Sequence, residues 1–84
     1  MAVTKWVLKY ESNVPGSDLF YLPVTTPILG LAAQFSSVAS AMAVGVMNRT
    51  CDGDHKEAVV MQVDVDGETV LPSKDVKDQP LPPR

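Results

Sequence analysis

The chain has one cysteine, Cys51, and one histidine, His55. A lone cysteine excludes an intrachain disulfide, and with it the cross-linked framework on which small secreted domains usually rely. It also excludes a zinc site of the common Cys and His type within one chain. Cys51 and His55 could be joined only by Asp52 or Asp54 from the same five-residue stretch, which is cramped for four ligands. Two subunits sharing a metal would be needed. The same pair makes a poor thiol–imidazole nucleophile, since no orienting group, cleft or oxyanion hole accompanies it. Gly16, Gly30, Gly45, Gly53 and Gly67 are scattered singly, so there is no phosphate-cradling loop. No basic stripe exists, and Trp6, Tyr10, Phe20, Tyr21 and Phe35 lack the basic partners of a base-stacking platform. Nucleic acid is therefore not an expected partner. The acidic pairs Asp52/Asp54 and Asp64/Asp66 read as turn and edge residues; the spacing of a calcium loop is absent. No catalytic, cofactor-binding or metal-binding residue is expected, and the chain is not expected to be an enzyme.

Charge is scarce in one place above all. Residues 19–48 carry none. The rest is lopsided: residues 1–50 hold Lys5, Lys9 and Arg49 against Glu11 and Asp18, a sum of +1, whereas residues 51–84 hold four basic groups against eight acids, a sum of −4. Apolar content of 45% is that of a globular domain.

The uncharged stretch reads as one long helix over 26–47. Thr26 suits the N-cap and Pro27 the first helical position, where a missing N–H costs nothing. Ile28, Leu31, Phe35, Val38, Ala39, Met42 and Val46 form an apolar stripe at three- and four-residue spacing. The opposite face carries Gly30, Ala33, Ser37, Ala41 and Val44, with Gln34 at its edge. A surface helix normally places charged residues there. Small uncharged ones imply a second covered face, and a chain of 84 residues has little material for covering both. A homo-oligomer paired through these five residues is the expectation. The alternatives are a C-terminal tail folded over the small face and a single membrane span. Length permits the span; Gln34, Ser36, Ser37 and Ser40 near its middle, and the weak Lys/Arg asymmetry of its flanks, oppose it.

Around the helix, alternation over 4–11 predicts a half-buried strand with Trp6, Leu8 and Tyr10 inward and Lys5, Val7, Lys9 and Glu11 wet. Pro15-Gly16 marks a turn, and 19–24 a second strand making a hairpin with the first. Residues 57–65 form a third strand with Val59, Met61, Val63 and Val65 on the core side. Asp66-Gly67 is a two-residue hairpin signal that sets Val63 across from Val70 and Asp64 across from Thr69. The expected fold is α+β, ββαββ: a small antiparallel sheet with one long helix across one face, a single domain over 1–71, and an extended C-terminal arm over 72–84.

That arm has little to bury. Its Pro80-Leu81-Pro82-Pro83-Arg84 end suits an extended, polyproline-like ligand for a protein partner. The functional expectation is a non-enzymatic structural or assembly protein, of the kind found as viral accessory or virion components, that self-associates through its helix and contacts a neighbour with its arm. The alternative is a small oligomeric binding module or inhibitor, capturing a small molecule or protein target at a subunit interface. Its donors would be Lys5, Lys9, Arg49 and the Thr25-Thr26 backbone at the helix start. The N-terminus runs straight into a strand pattern, and Asn48-Arg49-Thr50 reads as a chance glycosylation sequon, so a cytoplasmic or virion setting is expected, not secretion.

Overall fold

The computed structural model describes residues 2–83. Among them, six strands form one antiparallel sheet: β1 (Val3–Tyr10), β2 (Leu19–Tyr21), β3 (Thr25–Thr26), β4 (Val59–Asp66), β5 (Thr69–Pro72) and β6 (Gln79–Pro80). The order is β3-β2-β1-β4-β5, with β6 also on β4. The helix α1 spans Val38–Met47. The α+β class therefore holds, with a short helix in place of the long one.

β1 and β4 pair along their whole length, from Val3 opposite Val65 to Lys9 opposite Val59. Each has a second edge that two shorter segments share. On β1, β2 covers only Lys9 and Tyr10, and the Trp6 N–H and C=O are taken by the Phe35 backbone at 3.0 and 2.7 Å. On β4, β5 covers 63–66 and β6 covers 59–60. Ser73 fills the gap between them: its N–H donates to the Gln62 carbonyl at 2.9 Å and its hydroxyl to Asp64 at 3.1 Å. These contacts pair backbone groups that an interrupted edge would otherwise leave open.

The Phe35 pairing explains the shortened helix. The stretch expected as helix over 26–47 performs several tasks. Thr26 lies in β3, and its hydroxyl accepts from the Ile28 N–H at 3.1 Å, the local bond of a cap. Only a 3-10 turn follows, over Leu29–Leu31. The chain then extends to meet Trp6, and α1 begins at a second cap, where Ser37 Oγ accepts from the Ser40 N–H at 3.1 Å. Edge pairing on β1 thus overrides a helical apolar period, as tertiary context routinely overrides local preference.

Both faces of the sheet are covered. On one side α1 packs over Leu8, Tyr10, Ala58 and Val60, all at most 1% exposed, with Trp6 and Phe35 alongside. On the other, Leu29 and Ala32 lie with Val7, Met61, Val63 and Val70. Val7, expected on a wet face, is fully buried. The lack of charge over 19–48 follows from this path: the segment lies on one face, rounds the β1 edge and crosses the other.

The small residues of α1 also change role. Ala41 and Gly45 are its buried positions. They face the chain's own sheet, and Ala41 is 0% exposed. Ala39 and Val46, expected in the core, point outward with Ser40, Ala43 and Met47. Small residues do permit close backbone approach here, but the partner in contact is the sheet of the same chain. A Cβ on Gly45 would lie 2.7 Å from Leu81 Cδ2 and 3.0 Å from Leu8 Cδ2.

That contact corrects the reading of the C-terminal arm. Pro80 pairs with Val59, and Leu81 enters the core between α1 and the sheet. Asp78 forms an ion pair with Lys9 at 2.6 Å. One leucine with a glycine opposite it is enough to seat a segment of otherwise poor burying power. At the other hairpin, Asp66 pairs with Thr69 and Val65 with Val70, so Gly67-Glu68 is the turn, one residue later than expected. Gly67 has φ of 61°, the sign that the first central position of a type II′ turn requires.

Candidate functional site

Of the five residues expected to pair subunits, only Ala41 and Val44 lie in α1. Gly30 is in the 3-10 turn, Ala33 in the extended segment, and Ser37 is the helix N-cap. They share no face. Of the arm residues, Pro80 is in β6, Leu81 is buried, Pro82 and Pro83 are exposed, and Arg84 lies outside the described residues. The Pro80-to-Pro83 motif is therefore docked on its own domain through its second residue.

The free side of α1 is a different set. Ala39, Ser40, Ala43, Val46 and Met47 span an arc of about 120° at 3.6 residues per turn. Val46 is 47% exposed and Met47 is 84% exposed. Beyond the C-cap of the helix, Asn48, lies a cleft of about 240 Å³ lined by Tyr10, Tyr21, Val24, Thr25, Asn48 and Cys51, among others. Val24, 82% exposed, stands on its rim. The free side of α1 is thus an uncharged surface with protruding apolar side chains.

The floor of that cleft is fixed by polar bonds. Tyr10 Oη donates to the Asn48 carbonyl at 2.5 Å, and the Asn48 side-chain amide donates to the Val44 carbonyl at 3.0 Å, so strand and side chain together close the helix C-terminus. The sequon asparagine is thus a helix cap. Burial, with lesser contributions from Cys51 and Tyr21, pushes the Tyr10 phenol up to about 12. Burial, aided by the Asp52 carboxylate, also raises the Cys51 thiol above its ordinary value. A raised thiol is a weak nucleophile at neutral pH.

Cys51, Asp52 and His55 place one donor atom each within 4.8 Å of one another. The loop already uses the Asp52 and His55 atoms. His55 Nδ1 is 2.8 Å from Asp52 Oδ1, and Nε2 is 3.0 Å from the Ser17 carbonyl on the facing loop. Asp52 Oδ1 also accepts from the Asp54 N–H at 2.8 Å. A metal on His55 would have to displace one of these bonds, so the trio reads as a closed hydrogen-bonded turn. The Ser17 contact could not be read from the sequence, because nothing local marks a carbonyl 38 positions away as a partner.

The donors suggested for anion capture are engaged elsewhere. Lys9 pairs with Asp78, Arg49 with Glu57 at 3.5 Å, and Lys5 donates to Ser36 Oγ at 3.3 Å. Thr25 and Thr26 are strand residues, and no helix of anion-binding length starts there. A second cleft lies between the 3-10 turn and the β4–β5 hairpin, with Ile28, Leu31, Gln34 and Val70 in its walls. Among the described residues, no helix is long and apolar enough to cross a membrane.

No protein-family model matches the chain, and no curated protein or solved structure matches it.

Proposed function

We propose that this chain is a non-enzymatic assembly protein that pairs with a second copy through the free side of α1. The observation that carries the reading is the outward face of Ala39, Ser40, Ala43, Val46 and Met47, with Met47 84% exposed on a helix that has no charged residue. Isolated exposed apolar residues are ordinary on protein surfaces, but a contiguous uncharged set is a feature of interaction sites. Ala39 and Ala43 allow two helices to approach closely. Met47 and Val24 supply protruding groups, and the cleft that Val24 lines supplies a hollow. A surface holding both suits an isologous pair, in which each copy offers the same patch to the other. Docking of the arm within its own domain makes the helix, not the arm, the main contact.

The test mixes isotope-labelled with unlabelled chain and records only contacts between copies. Methyl contacts between copies at Val24, Val46 and Met47 are expected. Contacts confined to Ile28, Leu31 and Val70 would move the interface to the second cleft and overturn this reading, as would the absence of contacts between copies at every concentration tested.

A further inference from the structure

We propose that His55 is a pH-operated latch joining the loop over residues 12–18 to the loop over 51–55, closed only while its ring carries two protons. Donors and acceptors around the ring set its protonation state. Both atoms facing the ring are oxygens that only accept: a carboxylate at Nδ1 and a backbone carbonyl at Nε2. Both ring nitrogens must therefore donate, and an imidazole donates twice only as the cation. The neutral ring has one N–H. If it stays on Nδ1, the Nε2 lone pair faces the Ser17 carbonyl; if it moves to Nε2, the Nδ1 lone pair faces the Asp52 carboxylate. The charged carboxylate is the stronger acceptor, so the neutral ring keeps its proton on Nδ1, and the Ser17 bond, the one of the two that crosses between the loops, opens.

The surroundings favour the closed, charged form. His55's own loop offers Asp52 and Asp54, with the raised Cys51 thiol alongside. The facing segment offers Glu11 and Asp18, whose carboxylate accepts from the Ser12 N–H at 2.9 Å. Lys56 is the next residue along, and its N–H is bound to the Glu11 carbonyl at 2.8 Å. The hydrogen bond to Asp52, then that to Ser17, raises the His55 pKa above its ordinary value. The other ties are the two backbone bonds of the Ser12–His55 bridge: the Lys56 N–H to the Glu11 carbonyl at 2.8 Å at its base, and the Asn13 N–H to the Asp54 carbonyl at 3.5 Å, the long limit for such a bond, nearer the tips. The His55 bond to Ser17 is the side-chain link at the loop tips. Opening it frees the loop that carries the Cys51 wall of the cleft.

His55 is the only histidine in the chain, so its titration can be followed without ambiguity. The experiment is an NMR titration of the full chain from about pH 5 to about pH 9, following the ring resonances and the backbone relaxation of both loops. The latch predicts a ring midpoint above about 6.5, loops that are rigid below it and mobile above it, and a midpoint brought down by Asp52→Asn. His55→Gln should leave the loops mobile at every pH and abolish the transition. A midpoint at or below the ordinary value would overturn the proposal, and so would loop relaxation that is the same on both sides of the titration.

Discussion

Leu81→Ala, combined with Gly45→Ala, tests how the last segment is held. Leu81 is 8% exposed, and its methyl groups occupy the space that a Cβ on Gly45 would need, at 2.7 and 3.4 Å. Ordinary carbon contacts lie near 3.5–4.0 Å, so alanine at 45 must push Leu81 by about 1 Å. Leu8 Cδ2, at 3.0 Å, is the lesser clash and is relieved by a shift of a few tenths of an ångström once Leu81 is gone. Leu81→Ala alone should cost about 2 kcal/mol, the low end for a buried leucine, because its site is at the rim of the core. Gly45→Ala alone gains about 1 kcal/mol in helix propensity but overpacks the site by about 2 kcal/mol, a net loss of about 1 kcal/mol. With Leu81 gone, the overpacking disappears and the propensity gain remains, so Gly45→Ala should then stabilise by about 1 kcal/mol. The coupling is about 2 kcal/mol, within the range for residues in contact. Urea unfolding at fixed protein concentration, followed by Trp6 fluorescence and helix circular dichroism, measures all four chains. Equal effects of Gly45→Ala in both backgrounds would refute the seating of Leu81 on the helix.

Other outcomes follow from the same contacts. Ser37→Ala should cost about 1 kcal/mol through loss of the α1 cap, measured by thermal unfolding. Tyr10→Phe should cost about 1 kcal/mol by unpairing the Asn48 carbonyl, and in the parent protein an absorbance titration should show Tyr10 ionising well after an ordinary tyrosine. Because the folded Tyr10 pKa lies above the unfolded one, its contribution is complete below about 10 and is lost as pH rises towards about 12. The same sign applies to His55, whose contribution is complete below its ordinary value and lost as pH rises through its raised folded value; Asp52, lowered first by its bond to His55, contributes above its ordinary value and loses that as pH falls through its folded one. Stability of the two loops should therefore peak between the folded Asp52 and His55 midpoints. Cys51 should react with iodoacetamide more slowly at neutral pH than a free cysteine, since burial and Asp52 disfavour its thiolate.

Local chemistry in the sequence was legible wherever one segment decided the outcome. Alternation marks β1 and β4, Pro15-Gly16 turns one hairpin, and Gly67 supplies the positive φ of the other. The failures lie where distant segments compete. Phe35 belongs to a helical period, yet its backbone pairs with Trp6 on an incomplete strand edge, and the helix starts after it. Val7 sits between two lysines in an alternating strand, yet the chain returns over that side with Leu29 and Ala32. Ala41 and Gly45 were identifiable as small, but sequence cannot say whether the surface that approaches them is a second copy or the same chain. Gly45 answers only once Leu81 is seen above it. The Cys51-to-His55 stretch was readable as a turn; its tie to Ser17 was not, because a backbone carbonyl has no sequence signature.

Pairing of two copies through the free side of α1 is tested most directly by native mass, measured by light scattering on a sizing column, without detergent, at two concentrations. A discrete multiple of the 9.0 kDa chain is expected, falling to a folded monomer on Ala43→Arg, since Ala43 is exposed and its substitution leaves the core intact. A monomer at both concentrations, or an oligomer indifferent to Ala43→Arg, would contradict it.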